Sequence, residues 1–239
     1  VSRVAPPPRR SALAGFLSLL GELLITVGLV LGLFVAYSLW WTNVLADRDA
    51  SARGDAVREQ WERAAPSQEA AAAPGSLDTQ GGIGFLHVPA MKNGEVLVKK
   101  GTDSEVLNDG VAGYYTEPVK SALPWDPAGG NFALAAHRDG HGAKFHNIDK
   151  LKNGDAVVFE TRDTWYVYKV FAELTQTSKY NVDSISPIPK ESGRTAPGRY
   201  ITLTTCTPVY TSKFRYIVWG ELVRTEKVDA KRTPPAELR

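Results

Sequence analysis

From Leu23 to Ala46 the chain carries no charged residue, and the wider stretch 11–46 holds only Glu22. At a rise of about 1.5 Å per residue, roughly 20 apolar residues cross a hydrocarbon layer about 30 Å thick. The run from Leu23-Leu24-Ile25 to Leu33-Phe34-Val35 is apolar on every side, unlike a helix on the surface of a soluble core. Trp40 and Trp41 close it where an interfacial aromatic belt sits. A signal peptide would have a shorter apolar core and a better cleavage site than Val44-Leu45-Ala46. The pattern therefore predicts a membrane anchor region over 11–46. Arg3, Arg9 and Arg10 precede it without an acid among them, which favours residues 1–10 on the cytoplasmic side, although Arg48, Arg53, Arg58 and Arg63 follow it.

Residues 47–64 carry charges every few positions, with Val57 and Trp61 at helical spacing. The Ala/Pro/Ser-rich stretch from Ala64 to Ser76 cannot build a core. Residues 47–80 thus read as an extracellular helix and linker holding a domain off the bilayer. From Gly81 to Val223 the apolar period shortens to two, in short runs divided by Gly, Asn, Asp and Pro. Candidate strands are Ile83–Val88, Glu95–Val98, Asn131–Ala136, Ala156–Glu160, Thr164–Leu174, Tyr200–Thr205 and Phe214–Val223. Arg162-Asp163 joins two of them as a tight hairpin. Only Thr102–Asn108 and Ala143–Leu151 read as short helices. This pattern implies a β-barrel or sandwich of about 140 residues. The tail 224–239, with Thr233-Pro234-Pro235, reads as disordered.

Charge and composition narrow the chemistry. With 28 basic and 26 acidic residues, scattered and netting +2, the chain has no field that recruits nucleic acid, and it carries no nucleic-acid motif. Its one cysteine, Cys206, excludes an internal disulfide and a cysteine-based metal site. Outside the membrane an unpaired thiol is usually kept for its reactivity. His137, His141 and His146, with Asp139 and Asp149, invite a metal reading. However, Gly140 and Gly142 argue against a helix there and no HExxH motif occurs, so neither metal nor cofactor is expected. His87, inside the first strand pattern, reads as structural.

Strand alternation in Ile201-Thr202-Leu203-Thr204-Thr205-Cys206 puts Thr202, Thr204 and Cys206 on one face, with the thiol at the strand end. Pro208 stops the ladder, and the next strand begins near Phe214. If the two strands pair as an antiparallel hairpin, Cys206 and Arg215 lie nearly opposite. A guanidinium there can stabilise a thiolate or an oxyanion. A second small-residue strand, Ala133-Leu134-Ala135-Ala136, ends on His137 before a turn through glycines, where a histidine can act as general acid and base.

Thr202-Leu203-Thr204-Thr205-Cys206-Thr207-Pro208, with Arg215 nine residues after the cysteine, resembles the TLxTC…R signature of sortases. Leu134-Ala135-Ala136-His137-Arg138 resembles their LAGHR motif, with Ala136 in place of the glycine. The resemblance covers Ile83–Val223, and the His-Arg-Asp-Gly-His-Gly and Thr-Cys-Thr-Pro stretches are most similar to class E members of Gram-positive bacteria. It implies a closed β-barrel of about eight strands over residues 81–223, with short helices and a single-pass anchor in the cell membrane, the catalytic domain facing the cell wall. It implies a cysteine transpeptidase that cleaves LAxTG- or LPxTG-type C-terminal sorting signals of surface proteins between Thr and Gly. The acceptor would be the amine of a peptidoglycan precursor. Cys206, His137 and Arg215 match the catalytic residues; Thr205 and Tyr115 are the expected substrate-binding residues. The calcium that some members need is not expected, because no dense acidic cluster is present. Leu203-Thr204-Thr205-Cys206 lacks the Ser-His-Gly-Cys cluster of L,D-transpeptidases. A cysteine peptidase hydrolysing the same motif and a non-catalytic anchored domain stay open as alternatives.

Overall fold

A computed structural model of the chain describes residues 12–63 and 81–239. The segment 1–10, expected on the cytoplasmic side, and the Ala/Pro/Ser stretch expected as a linker lie outside the described residues. The chain divides into two units, one ending at Trp41 and the other running from Thr42 to Arg239.

In the first unit, helix α1 spans Ala12–Ala36 and passes into a π-helical turn over Tyr37–Trp41. Its 25 residues correspond to about 38 Å of helix, long enough to cross a bilayer. Leu19, Ile25 and Phe34 stand exposed, as expected for a helix whose partner is lipid.

The second unit opens with α2, Thr42–Arg63, and continues into eight strands. These are β1 Gly84–His87, β2 Glu95–Lys100, β3 Ala112–Tyr114, β4 Gly130–Ala135, β5 Ala156–Glu160, β6 Thr164–Ser178, β7 Arg199–Thr207 and β8 Phe214–Lys227. They close into a barrel in the order β1-β2-β3-β4-β7-β8-β6-β5. Two pairings are parallel, β2 with β3 and β4 with β7. The Arg162-Asp163 hairpin forms as expected, its ends joined by Thr161 N–H donating to Thr164 O at 2.9 Å. The core inside the barrel alternates with the outward residues and includes Leu86, Phe132, Leu134, Phe159, Ile201 and Leu203. Phe132 meets Phe159 edge-on at 4.9 Å. The short helix expected over 102–108 is α3, Ser104–Leu107, capped by Asp103, whose side chain accepts from Val106 N–H at 3.0 Å. The helix expected over 143–151 reduces to a 3-10 turn at Ile148–Lys150.

Three features differ from the sequence reading. Strand β3 has no counterpart in the apolar pattern, because it is three residues long and centred on Gly113, where a Cβ would collide with the Gly101 carbonyl. Residues 42–63 include the helix expected from residue 47, which begins earlier, at Thr42. They form one helix that packs on the barrel through Ala46, Ala50, Gly54, Val57 and Trp61, with Trp61 edge-on to Phe85 at 5.4 Å. The tail after Val223 is also folded: β8 continues to Lys227, a 3-10 turn forms at Ala236–Leu238, and Arg224 pairs with Glu237 at 2.6 Å.

Helix α2 and the tail converge on one carboxylate. Glu160, at the end of β5 and 1% exposed, accepts from Arg58 of α2 at 3.1 Å, from Arg232 of the tail at 2.5 Å and from His87 of β1 at 2.9 Å. Burial alone would push its pKa up. The hydrogen bonds from His87, Arg58 and Arg232 outweigh that and hold it at about 2. His87, Glu95 and Glu160 bring one ligand atom each within 4.8 Å of one another. Two guanidinium groups already neutralise these carboxylates, so a cation there would meet two positive charges at contact distance. A cavity of about 590 Å³ lies beside this cluster, lined among others by His87, Lys92, Trp165 and Arg232. It is halfway round the barrel from β4 and β7.

Candidate active site

Strands β7 and β8 pair antiparallel with Cys206 directly opposite Arg215. Directly opposed residues hold their Cβ atoms about 4.5–5.5 Å apart, within reach of a long guanidinium side chain. On its other side β7 runs parallel to β4, with Ala135 opposite Thr204 and Ala136 N–H donating to Thr204 O at 3.3 Å. Continuing that register by two residues brings His137 level with Cys206. The three residues marked by the sequence thus gather where three adjacent strands, β4, β7 and β8, begin or end.

Each is held differently. Cys206 is partly exposed, as a nucleophile that must meet a substrate requires. Arg215 Nη1 donates to the carbonyls of Ser212 at 3.1 Å and Phe214 at 3.0 Å. His137 Nε2 lies 2.9 Å from Asn108 Oδ1. A carbonyl oxygen can only accept, so Nε2 carries the proton and Nδ1 is left as the basic nitrogen. Burial pulls the His137 pKa below its usual 6.5, the His141 ring 5.4 Å away pulls the same way, and Asp139 opposes both. Its resting form at neutral pH is therefore the uncharged imidazole.

The two expected substrate-binding residues fall on opposite faces of the sheet. Tyr115, just beyond β3, lies 2.9 Å from Thr204 Oγ1. Thr204 spends its own hydroxyl proton on Leu134 O at 3.1 Å, so the Tyr115 hydroxyl is the donor. Burial raises the Tyr115 pKa, with the Thr204 bond and Arg215 pulling it down and Cys206 adding to the rise. Tyr115 thus shares its surroundings with Cys206 and Arg215. Thr205 belongs to the other face, with Ile201 and Leu203. It is 3% exposed, and its hydroxyl donates to Ala136 O at 2.7 Å. That bond ties β7 to the end of β4.

Two residues were passed over in the sequence. Arg138, 7% exposed, donates to Thr207 Oγ1 at 2.9 Å, Cys206 O at 3.4 Å and Asp149 Oδ1 at 3.3 Å, and lies over the Tyr216 ring at 5.5 Å. It ties the residue after His137 to the backbone of the cysteine. Its signal was its place beside the histidine in the motif. Asn108 is the other, and nothing local marks it. The histidines and aspartates considered for a metal are dispersed into other tasks: His146 Nδ1 donates to Arg138 O at 2.8 Å, and Asp139 accepts from Tyr210 N–H at 2.6 Å.

A family model described as Sortase domain matches residues 86–223. The chain is 66% identical over 222 residues to Sortase SrtE2 of Streptomyces coelicolor, covering 93% of this chain and 88% of that protein. It is 43% identical over 218 residues to Sortase SrtE1 of the same organism, covering 91% and 60% respectively. Among solved structures, sortase E1 of Streptomyces coelicolor with a tripeptide in the active site is similar at a TM-score of 0.61 and 44% identity, over 65% of this chain and 95% of that one. Sortase E from Streptomyces avermitilis is similar at a TM-score of 0.56 and 35% identity, over the same shares.

Proposed function

This chain belongs to the sortase family of cysteine transpeptidases, in its class E, and from that premise we propose that it joins surface proteins to a cell-wall amine through a Cys206 thioester. The substrate is a C-terminal LAxTG- or LPxTG-type sorting signal, cut between Thr and Gly. The acceptor is the amine of a peptidoglycan precursor. Helix α1 anchors the enzyme in the cell membrane by a single pass, with the barrel outside.

The observation that supports the reading is the strand register: Cys206 of β7 lies opposite Arg215 of β8, and His137 follows the end of β4, the other neighbour of β7. His137 Nδ1 takes the thiol proton, and the thiolate sulfur attacks the threonine carbonyl carbon. The carbonyl electron pair moves onto oxygen, where the Arg215 guanidinium stabilises it. As the oxyanion collapses, the C–N bond to glycine breaks and the His137 imidazolium gives its proton to the departing amine. The acceptor amine then attacks the thioester, His137 takes its proton, and the Cys206 thiolate leaves. Arg215 makes its backbone contacts through Nη1, which leaves Nε and Nη2 as donors for the substrate. Tyr115 stands over the Thr204 and Cys206 face, where the second residue of the signal would pass. Thr205 acts at one remove, by fixing the carbonyl that precedes His137.

The test is incubation of the full chain in detergent micelles with LAxTG and LPxTG peptides, with and without an amine acceptor, read by mass spectrometry. The expected outcome is an amine adduct at threonine, absent from the Cys206→Ala variant. Adduct formation by that variant, or intact peptide with the wild type, would defeat the reading.

A further inference from the structure

Helix α2 meets the barrel unit through two different halves. Val57 and Trp61 bury their side chains near its C-terminal end, whereas earlier in the helix the loop at Gly110 lies close against the Ala46 backbone. A Cβ added to Gly110 would come within 2.8 Å of the Ala46 carbonyl oxygen. Two loops arrive there, and both touch His137.

The first follows α3. Arg53 of α2 bonds Asp109 at 3.0 Å, and Lys99 of β2 holds the other oxygen of the same carboxylate at 3.0 Å. The residue beside it, Asn108, is the acceptor for His137 Nε2–H. The second loop follows His137 itself. Gly142 N–H donates to Asn43 Oδ1 of α2 at 3.0 Å, and Lys144 pairs with Asp47 of α2 at 2.7 Å. Between these points the backbone is left-handed at four successive residues: Gly140 at φ 64°, His141 at 46°, Gly142 at 79° and Ala143 at 39°. Two of the four carry a side chain, and such a conformation persists only where surrounding contacts over-determine it. That loop carries His141 against the His137 ring.

We propose that α2 is part of the catalytic apparatus: through Arg53 on Asp109 and Asn43 on Gly142 it holds the two loops that grip the His137 imidazole, and Asn108 is the positioning residue that fixes which nitrogen carries the proton. The Arg53 ion pair is partly exposed and adds little to stability. Its importance is geometric, because an imidazole displaced by about 1 Å loses a large part of its effect on proton transfer. The proposal rests on the transpeptidase reading for its catalytic consequence, but not for the geometry of the clamp.

The test uses the full chain in detergent micelles. Asn108→Ala should lower kcat about 10- to 100-fold, less than complete loss of general acid–base help, with KM within about twofold. Arg53→Ala should lower kcat about 10-fold and Arg53→Lys should restore most of it, whereas Arg63→Ala, which breaks only an exposed pair with Glu59, should change nothing. If both residues act through one imidazole, adding Arg53→Ala to Asn108→Ala should cost less than about twofold further. Histidine ¹⁵N spectra, with His137 assigned through His137→Gln, should show the Nε2–H tautomer in the wild type. That signature should be lost in Asn108→Ala and weakened in Arg53→Ala. Additive kinetic losses, or an unchanged tautomer in both variants, would overturn the proposal. A tautomer that responds as stated in an enzyme that transfers no peptide would uphold the clamp and sink the transpeptidase reading.

Discussion

Replacing Glu160 by glutamine removes the one negative charge on which α2, β1 and the tail converge. The wild-type carboxyl sits at about 2 instead of its ordinary 4.5. That depression, at about 1.4 kcal/mol per factor of ten in acidity, corresponds to about 3.5 kcal/mol of folding free energy. The side chain is 2% exposed, so solvent screens little of it, and removing one member of such a buried cluster falls in the same range. The sign follows from the depressed pKa: this stability is fully present above pH 4.5 and is lost as pH falls through 4.5 towards 2. For a folded unit of this size, about 3.5 kcal/mol lowers Tm by about 7–14 °C. Near-UV circular dichroism melts of the full chain in detergent micelles should show that gap between wild type and Glu160→Gln at pH 7. At pH 3 the gap should shrink to less than half, because the wild type has by then lost most of the same term. A gap below about 1 kcal/mol at pH 7, or one of equal size at pH 3, would refute the assignment of Glu160 as the charged node.

Four further outcomes are expected. His137→Ala should reduce turnover by about 10²–10⁴-fold and His141→Ala far less. In the His141→Ala variant the His137 pKa, read by NMR titration, should rise, because a neighbouring positive charge that lowers it is gone. Arg215→Lys should lose about 10²-fold in kcat while remaining folded by circular dichroism, since a point charge does not reproduce a planar set of donors; near wild-type turnover would remove Arg215 from the chemistry. Protease added to intact, wall-stripped cells should degrade residues 81–223, and protection until lysis would reverse the proposed topology.

The long elements were legible because each satisfies its own period. Strands β6, β7 and β8 run for nine or more residues, and α1 carries a single charge, Glu22. What was lost depends on contacts between residues far apart in the chain. The helix after residue 47 was marked by Val57 and Trp61 at helical spacing, but its docking on the barrel was not, because three of its five buried residues are alanine or glycine, and small residues register as apolar only once a backbone is seen approaching them. The tail looks disordered because its order comes from Arg232 reaching Glu160, 72 residues away. Within the site, the cysteine, histidine and arginine were marked by motif and spacing. Thr205 was assigned to the groove although alternation already sets it on the face opposite Cys206. Asn108 carried no signal, because its partner lies 29 residues away and the link exists only once the loops are docked.

Closure of the barrel bears on how a peptide can be read. Many proteins that grip extended peptides lend them a free sheet edge, so that the main chain supplies affinity and sets the register whatever the side chains are. Among the described residues all eight strands have both neighbours, and none of them offers such an edge. An extended substrate must then be recognised through its side chains and a few carbonyls, against loops and the outward face of β7. Such a reader discriminates over a short stretch and ignores what lies on either side. A brief signal of a few residues, portable from one protein to another, is the kind of sequence that this architecture is suited to recognise.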